Sequence, residues 1–170
     1  MTVKNVAASI RQRLLNKARE DKRPFNELLQ YYAMERFLYR LSISPHKDRF
    51  ILKGALMLRV WDSPQFRPTM DIDLLGRTSN KEERIMSQIR EILTITVDSD
   101  GLDYLADSVQ AEPITEEADY TGVRICFKGY LDSARINMQL DIGFGDVVLP
   151  ALERLPFPVV LDSPSPILLC

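Results

Sequence analysis

Histidine and cysteine are scarce in this chain, and their scarcity narrows the chemistry open to it. A single histidine, His46, leaves histidine-rich metal centres and histidine-relay hydrolases without support. Two cysteines, Cys126 and Cys170, are too few for a disulfide scaffold. The expectation is therefore a reduced, cytoplasmic protein. No apolar run reaches the roughly 18 residues of a membrane span, so no membrane partner is expected. The first fifteen residues are amphipathic and lack the apolar block of a secretory signal. There is no GxxxxGK[ST] phosphate loop. Gly143-Phe144-Gly145 has no third glycine at the right place for a dinucleotide fingerprint.

What is present suits one ordinary domain, or a domain with an accessory piece. The chain has 170 residues, 45% of them hydrophobic and 27% charged. Net charge is only −2, but it is unevenly spread. Residues 1–49 hold 11 Lys/Arg against 5 Asp/Glu, a balance of +6. Residues 50–170 hold 11 against 19, a balance of −8. A basic half beside an acidic half suits a polyanion-binding surface next to a metal site. Basic helix surfaces that merely face solvent produce the same numbers.

Residues 4–20 carry Val6, Ala7, Ile10, Leu14 and Ala18 near a 3.6-residue period, which predicts an amphipathic helix. Residues 21–24 break it, and a second helix is expected from Pro24 to about Leu41. Phe25, Leu28, Leu29, Tyr32 and Arg36 share one side of it. Residues 50–53 form a short apolar run stopped by Gly54-Ala55. Residues 56–61 suit a short helix, and 62–68, with two prolines, a loop. Residues 69–75 alternate as a strand does. Ser79 and Asn80 stand at capping-box spacing from Glu82 and Glu83, before a helix to about Leu93 with Ile85, Ile89 and Ile92 facing inward. Residues 98–103 read as a turn, and strands are expected near 108–114, 121–128 and 134–143. The tail from Pro150 has five prolines and little pattern. Helices followed by a strand–helix–strand region predict an α+β fold, with a small mixed or antiparallel sheet and a helical N-terminal subdomain. The expected divisions are 1–49, a core at 50–150, and a proline-rich tail at 151–170.

The chemistry lies in Met70-Asp71-Ile72-Asp73-Leu74. Alternate strand residues share a face, so Met70, Ile72 and Leu74 are expected in the core and Asp71 and Asp73 side by side opposite. Adjacent carboxylates repel unless a cation separates them, and hard oxygen donors suit magnesium or manganese. In residues 136–142 the same alternation puts Asp141 on the polar face of another strand. If the two strands are neighbours, three carboxylates converge, an arrangement used in phosphoryl and nucleotidyl transfer. The Asp-x-Asp pattern alone is weak, because 14 aspartates yield about one such pair by chance. A second pair, Asp98-Ser99-Asp100, lies in what reads as a solvated turn. Gly54-Ala55, with Lys53 beside it, can bring backbone N–H groups to a bound phosphate, although a simple turn glycine has the same sequence. Arg67 and Thr69 flank the carboxylates as further nucleotide-binding candidates. Trp61, Phe66 and the tyrosines are expected to be packing residues.

Together these segments resemble the abortive-infection nucleotidyltransferase toxin family of the AbiEii type. The matching stretches are Arg11-Gln-Arg-Leu-Leu-Asn, Glu35-Arg-Phe-Leu-Tyr-Arg-Leu-Ser, Phe50-Ile-Leu-Lys-Gly-Ala, Arg67-Pro-Thr-Met-Asp-Ile-Asp-Leu, Tyr120-Thr-Gly-Val-Arg and Gln139-Leu-Asp-Ile-Gly-Phe-Gly-Asp. The resemblance runs along nearly the whole chain, in the family's order. It implies a DNA polymerase beta-like nucleotidyltransferase fold and metal-dependent transfer of an NMP from an NTP to an acceptor, tRNA for some members. It also implies a toxin paired with a cognate antitoxin. By position, Gly54 and Ala55 fall on the glycine turn, Asp71 and Asp73 on the paired metal ligands, and Asp141 on the third carboxylate. The family continues into a helical region with an Ala-Glu-Lys motif; this sequence ends at Cys170 without it, which implies a fragment or a degenerate member. Three readings stand at this stage: the transferase, a catalytically impaired nucleotide- or RNA-binding module of the same fold, and another carboxylate–metal enzyme such as a nuclease or a glycosyltransferase. For an RNA acceptor, Arg11, Arg13, Lys17, Arg19, Lys22 and Arg23 are the expected phosphate contacts.

Overall fold

The computed structural model describes residues 3–56, 69–116, 120–144 and 152–170. Helix α1 spans Val3–Asp21 and helix α2 Phe25–Ser42. Strand β1 (Phe50–Lys53) runs into a single 3-10 turn, Gly54–Leu56. Strand β2 (Ile72–Gly76), helix α3 (Glu82–Leu93), and strands β3 (Leu102–Glu116), β4 (Tyr120–Leu131) and β5 (Ala134–Gly143) follow. Two short strands, β6 (Arg154–Pro156) and β7 (Ile167–Leu169), pair with each other near the C-terminus. The short helix expected at residues 56–61 and the loop at 62–68, with Trp61, Phe66 and Arg67, lie outside the described residues, apart from Leu56.

The main sheet has the order β1-β2-β5-β4-β3. Strand β2 runs parallel to β5, and every other pairing is antiparallel, so the sheet is mixed. The parallel pairing requires a long crossover, which the chain makes through α3, β3 and β4. Ile72, Leu74, Ile125, Leu140 and Ile142 are fully or almost fully buried on one face. They share a single apolar cluster with Leu14, Tyr32, Phe37 and Leu38 of the N-terminal helices and Ile85, Ile89 and Ile92 of α3. Burying a large aliphatic side chain is worth about 1.5–3 kcal/mol, so this cluster joins the N-terminal helices to the sheet. The whole assembly is α+β.

Helix α2 is the centre of the molecule rather than a surface helix, since most of its residues are buried. It follows Pro24, whose carbonyl accepts the first helical N–H groups. Its polar side chains are spent on tethers. Arg40 grips both carboxylate oxygens of Asp100 at 2.8 and 3.1 Å, and Tyr32 donates to the Asp100 carbonyl. The second Asp-x-Asp pair is thus a solvated turn only in part: Asp98 and Ser99 are exposed, while the partly buried Asp100 is a latch between α2 and the start of β3. Glu35 and Arg36 are 0% and 2% exposed and bridge each other at 2.5 Å. Glu35 also accepts the Val160 N–H, and Arg36 donates to the Pro164 carbonyl.

Those last bonds correct a second expectation. The tail is not patternless: Phe157 and Leu168 enter the core, and β6 and β7 close a small ribbon whose β7 lies against β1. Its alternation was too short to register among five prolines. The strand expected at 108–114 begins earlier, at Leu102, with an irregular register between Leu105 and Gln110. Helix α3 starts after Lys81, without a side-chain cap; Ser79 instead accepts the Lys81 N–H one turn ahead. His46 is structural, held between Glu91 at 2.6 Å and Arg49 at 2.9 Å.

Candidate active site

The polar face of the sheet carries the carboxylates because strand periodicity leaves them there once Ile72, Leu74, Leu140 and Ile142 are buried. Asp73 and Asp141 are direct partners across the parallel β2–β5 ladder. Neighbouring strands lie about 4.8 Å apart, and in-register side chains project to the same side. The two carboxylates therefore share one face as adjacent neighbours. Asp71 sits in the bend just before β2. Met70, expected in the core, is 46% exposed, because regular strand structure begins only at Ile72.

Gly54 comes against the same group from β1. Its φ of +75° belongs to the left-handed region that glycine enters at little cost. A Cβ placed there would meet Oδ2 of Asp73 at 2.4 Å. The glycine is thus required twice, by its backbone angle and by the approach of the carboxylate. Lys53 is the ladder partner of Asp73 across β1–β2. A small cavity of about 140 Å³ is lined by Lys53, Asp73, Asp141, Gly122 and Gly143. A larger one of about 460 Å³ has Asp71, Gln110, Lys128, Asn137 and Gln139 in its wall, with Gln30 of α2. The larger volume is in the range of small-molecule sites. Thr69 sits beside the carboxylates, its hydroxyl near the backbone of Asp71 and its N–H donating to the Tyr31 hydroxyl.

The electrostatics are those of partly compensated acids. Burial, then the charge of Asp141, holds the Asp71 carboxyl above its ordinary range, while Arg124 acts in the opposite direction. Arg124 is the compensating cation: its Nε donates to Oδ1 of Asp141 at 2.9 Å and its Nη2 to Oδ2 at 3.3 Å. The two residues are partners in the β4–β5 ladder. Gln139 adds long contacts to Asp141 at 3.4 and 3.5 Å. The donor set suits a hard divalent cation: oxygen ligands, two of them in register on one face, and no histidine or thiolate among the three. Among the described residues, however, no three acidic, histidine or cysteine side chains stand close enough to hold one ion. Of the three expected carboxylates, Asp73 and Asp141 are in register on one face, and Asp71 stands ahead of the strand, in the wall of the larger cavity. A guanidinium engages Asp141 instead. Arg124 stood in a stretch quoted above but carried no role there; its alternation with Val123 and Ile125 was the available signal.

Three of the N-terminal basic residues are ion-paired. Arg11 pairs with Asp132 and Ser133 at the β4–β5 turn. That turn is seven or more residues along β4 from Arg124, roughly 23 Å at 3.3 Å per residue. Lys17 pairs with Asp21, and Arg23 with Glu27. Arg13, Arg19 and Lys22 are exposed.

No helix among the described residues is long and apolar enough to cross a membrane. Comparison with curated proteins finds no match, and neither does comparison with solved structures. Comparison with protein families matches residues 36–170 to the nucleotidyl transferase AbiEii toxin of type IV toxin–antitoxin systems. The match takes in both carboxylate strands, the Gly54 turn and Arg124, and leaves the basic helix α1 outside it. The chain belongs to the AbiEii nucleotidyltransferase toxin family.

Proposed function

We propose that the protein transfers an NMP from an NTP to an RNA acceptor in a magnesium- or manganese-dependent reaction, with tRNA the first acceptor to test, and that a cognate antitoxin opposes it. The observation that carries this reading is the in-register Asp73–Asp141 pair with the Gly54 turn packed on Asp73, in a chain of this family. Asp71, Asp73 and Asp141 would hold the divalent cation, which when bound supplies charge neutralisation to the polyphosphate and acidity to the acceptor hydroxyl. The chain's own groups do the rest. Lys53, in the wall of the smaller cavity, and Gly54 and Ala55 that follow it are assigned to the phosphates, as are Thr69 and, outside the described residues, Arg67. The larger cavity offers Gln110, Asn137 and Gln139 to a nucleoside. Asp141 is assigned to the acceptor side, to take the hydroxyl proton. The acceptor oxygen then bonds to the α-phosphorus as its bond to the leaving pyrophosphate breaks. The protein's contribution is position and charge.

The test is incubation with each α-labelled NTP, divalent metal and candidate RNAs. Label entering an acceptor, and lost in Asp73→Asn, supports transfer. Shortening of RNA supports a nuclease. Nucleotide binding without turnover supports the impaired binding module, a reading favoured by the Arg124–Asp141 pair if that pair cannot open.

A further inference from the structure

We propose that Arg124 has two anionic partners in turn: Asp141 while the carboxylates hold no cation, and the phosphates of a nucleotide once a divalent cation has taken Asp141. The inference rests on the nucleotidyltransferase reading and assigns a residue that the reading does not otherwise use.

The argument starts from the ladder. Arg124 and Asp141 are cross-strand partners, so their side chains project from one face at neighbouring positions. The guanidinium reaches both carboxylate oxygens. It is therefore in direct competition with any cation that needs those oxygens. Arginine does not give up its proton at ordinary pH, and the contact with Asp141 raises its pKa further. Arg124 does not leave by titrating, so a cation that takes the Asp141 oxygens has to compete with its charge. The pair is reachable, with the two side chains 36% and 24% exposed.

Among the described residues, displacement leaves Arg124 with one remaining ion-pair partner. Glu112 lies 3.8 Å away and is largely exposed, a weak alternative. Cys126 and Gln139 beside it are neutral, and Asp71 belongs to the cation. The strand position keeps the guanidinium on the open face next to the site. The ligand whose geometry suits its fork is a phosphate, which can accept two parallel hydrogen bonds. Metal and nucleotide then become coupled through one residue: the metal frees Arg124, and Arg124 adds to the nucleotide's hold.

The coupling predicts effects of opposite sign, which a merely structural ion pair does not. In Arg124→Gln, manganese affinity measured without nucleotide, by electron paramagnetic resonance, should rise about threefold to tenfold, a modest factor because the pair is partly exposed. In the same variant, an α,β-methylene NTP at saturating manganese should bind about tenfold more weakly. Arg124→Lys, which keeps the charge and loses the fork, should fall between. On the wild-type chain, the Arg124 Nε–H resonance should shift as magnesium is added, which needs no variant to fold. Unchanged manganese affinity in Arg124→Gln, both affinities moving the same way, or a still Nε–H resonance would each overturn the proposal. If the wild-type chain shows no manganese site sensitive to Asp73→Asn, the carboxylate reading itself fails, and Arg124 falls with it.

Discussion

Replacing Gly54 by alanine tests the site through stability before any substrate is known. Alanine at φ +75° costs about 1–2 kcal/mol from left-handed backbone strain. Its Cβ would lie 2.4 Å from Oδ2, 3.0 Å from Cγ and 2.9 Å from Cβ of Asp73, against ordinary contacts of 3.4 Å or more. Relieving such an overlap in a packed region costs a further ~1–3 kcal/mol. The sum, roughly 2–5 kcal/mol, is a large part of the stability of a typical domain. At about 2–4 °C per kcal/mol for a chain of this size, thermal unfolding should fall by roughly 4–20 °C. Calorimetry or far-UV circular dichroism reads this directly. A double-mutant cycle with Asp73→Ala isolates the cause. That change removes Oδ2 and Cγ but leaves Cβ, so part of the Gly54→Ala cost should vanish and the backbone part remain. The expected coupling is about 1 kcal/mol. If Gly54→Ala unfolds at the wild-type temperature, or the two changes add within ~0.5 kcal/mol, the close approach of turn and carboxylate is wrong.

Further outcomes follow from the same geometry. Asp71→Asn should abolish transfer, as should Asp73→Asn, without unfolding the chain. The Asp71 carboxyl titrates above its ordinary value near 3.8, so the folded state keeps that proton longer than the unfolded state. Asp71 therefore subtracts stability as pH rises through that interval, and the loss persists above it. At neutral pH Asp71→Asn should melt at or about 1–2 °C above wild type, discounting for screening; a lower melting temperature contradicts the assignment. Glu35→Ala leaves Arg36 charged and buried and frees the Val160 N–H, so chemical denaturation should show a loss of about 3–5 kcal/mol. A loss under ~1 kcal/mol would show that the Glu35–Arg36 tether does not hold the C-terminal segment. If the acceptor is RNA bound along α1, replacing the exposed Arg13, Arg19 and Lys22 by alanine should weaken binding and flatten its log–log salt dependence by roughly two units. An unchanged slope with intact binding rejects α1 as the RNA surface.

The periodicity of the chain was enough for the elements that bury one face. The alternation around Ile72 and Ile142 located the carboxylates, and the 3.6-residue spacing of Ile85, Ile89 and Ile92 located α3, because side-chain period is a local property. The Gly54 turn was legible for the same reason. Local pattern said nothing of partners far along the chain. Asp100 read as solvent-facing until Arg40, 60 residues away, closed on it. The proline-rich tail read as shapeless until Glu35 and Arg36 supplied hydrogen bonds to its backbone. Arg11 read as a phosphate contact, and its neighbour Asp132, 121 residues away, came only with the β4–β5 turn. Arg124 is the sharpest case. Its phase on the polar face was written in the sequence, but its partner was set by the register of β4 against β5, and register is fixed by packing across the whole sheet. The residue types determined which chemistry this protein can support; the tertiary structure decided which charges face one another, because Coulomb and hydrogen-bond energies depend on distances that only the assembled sheet sets.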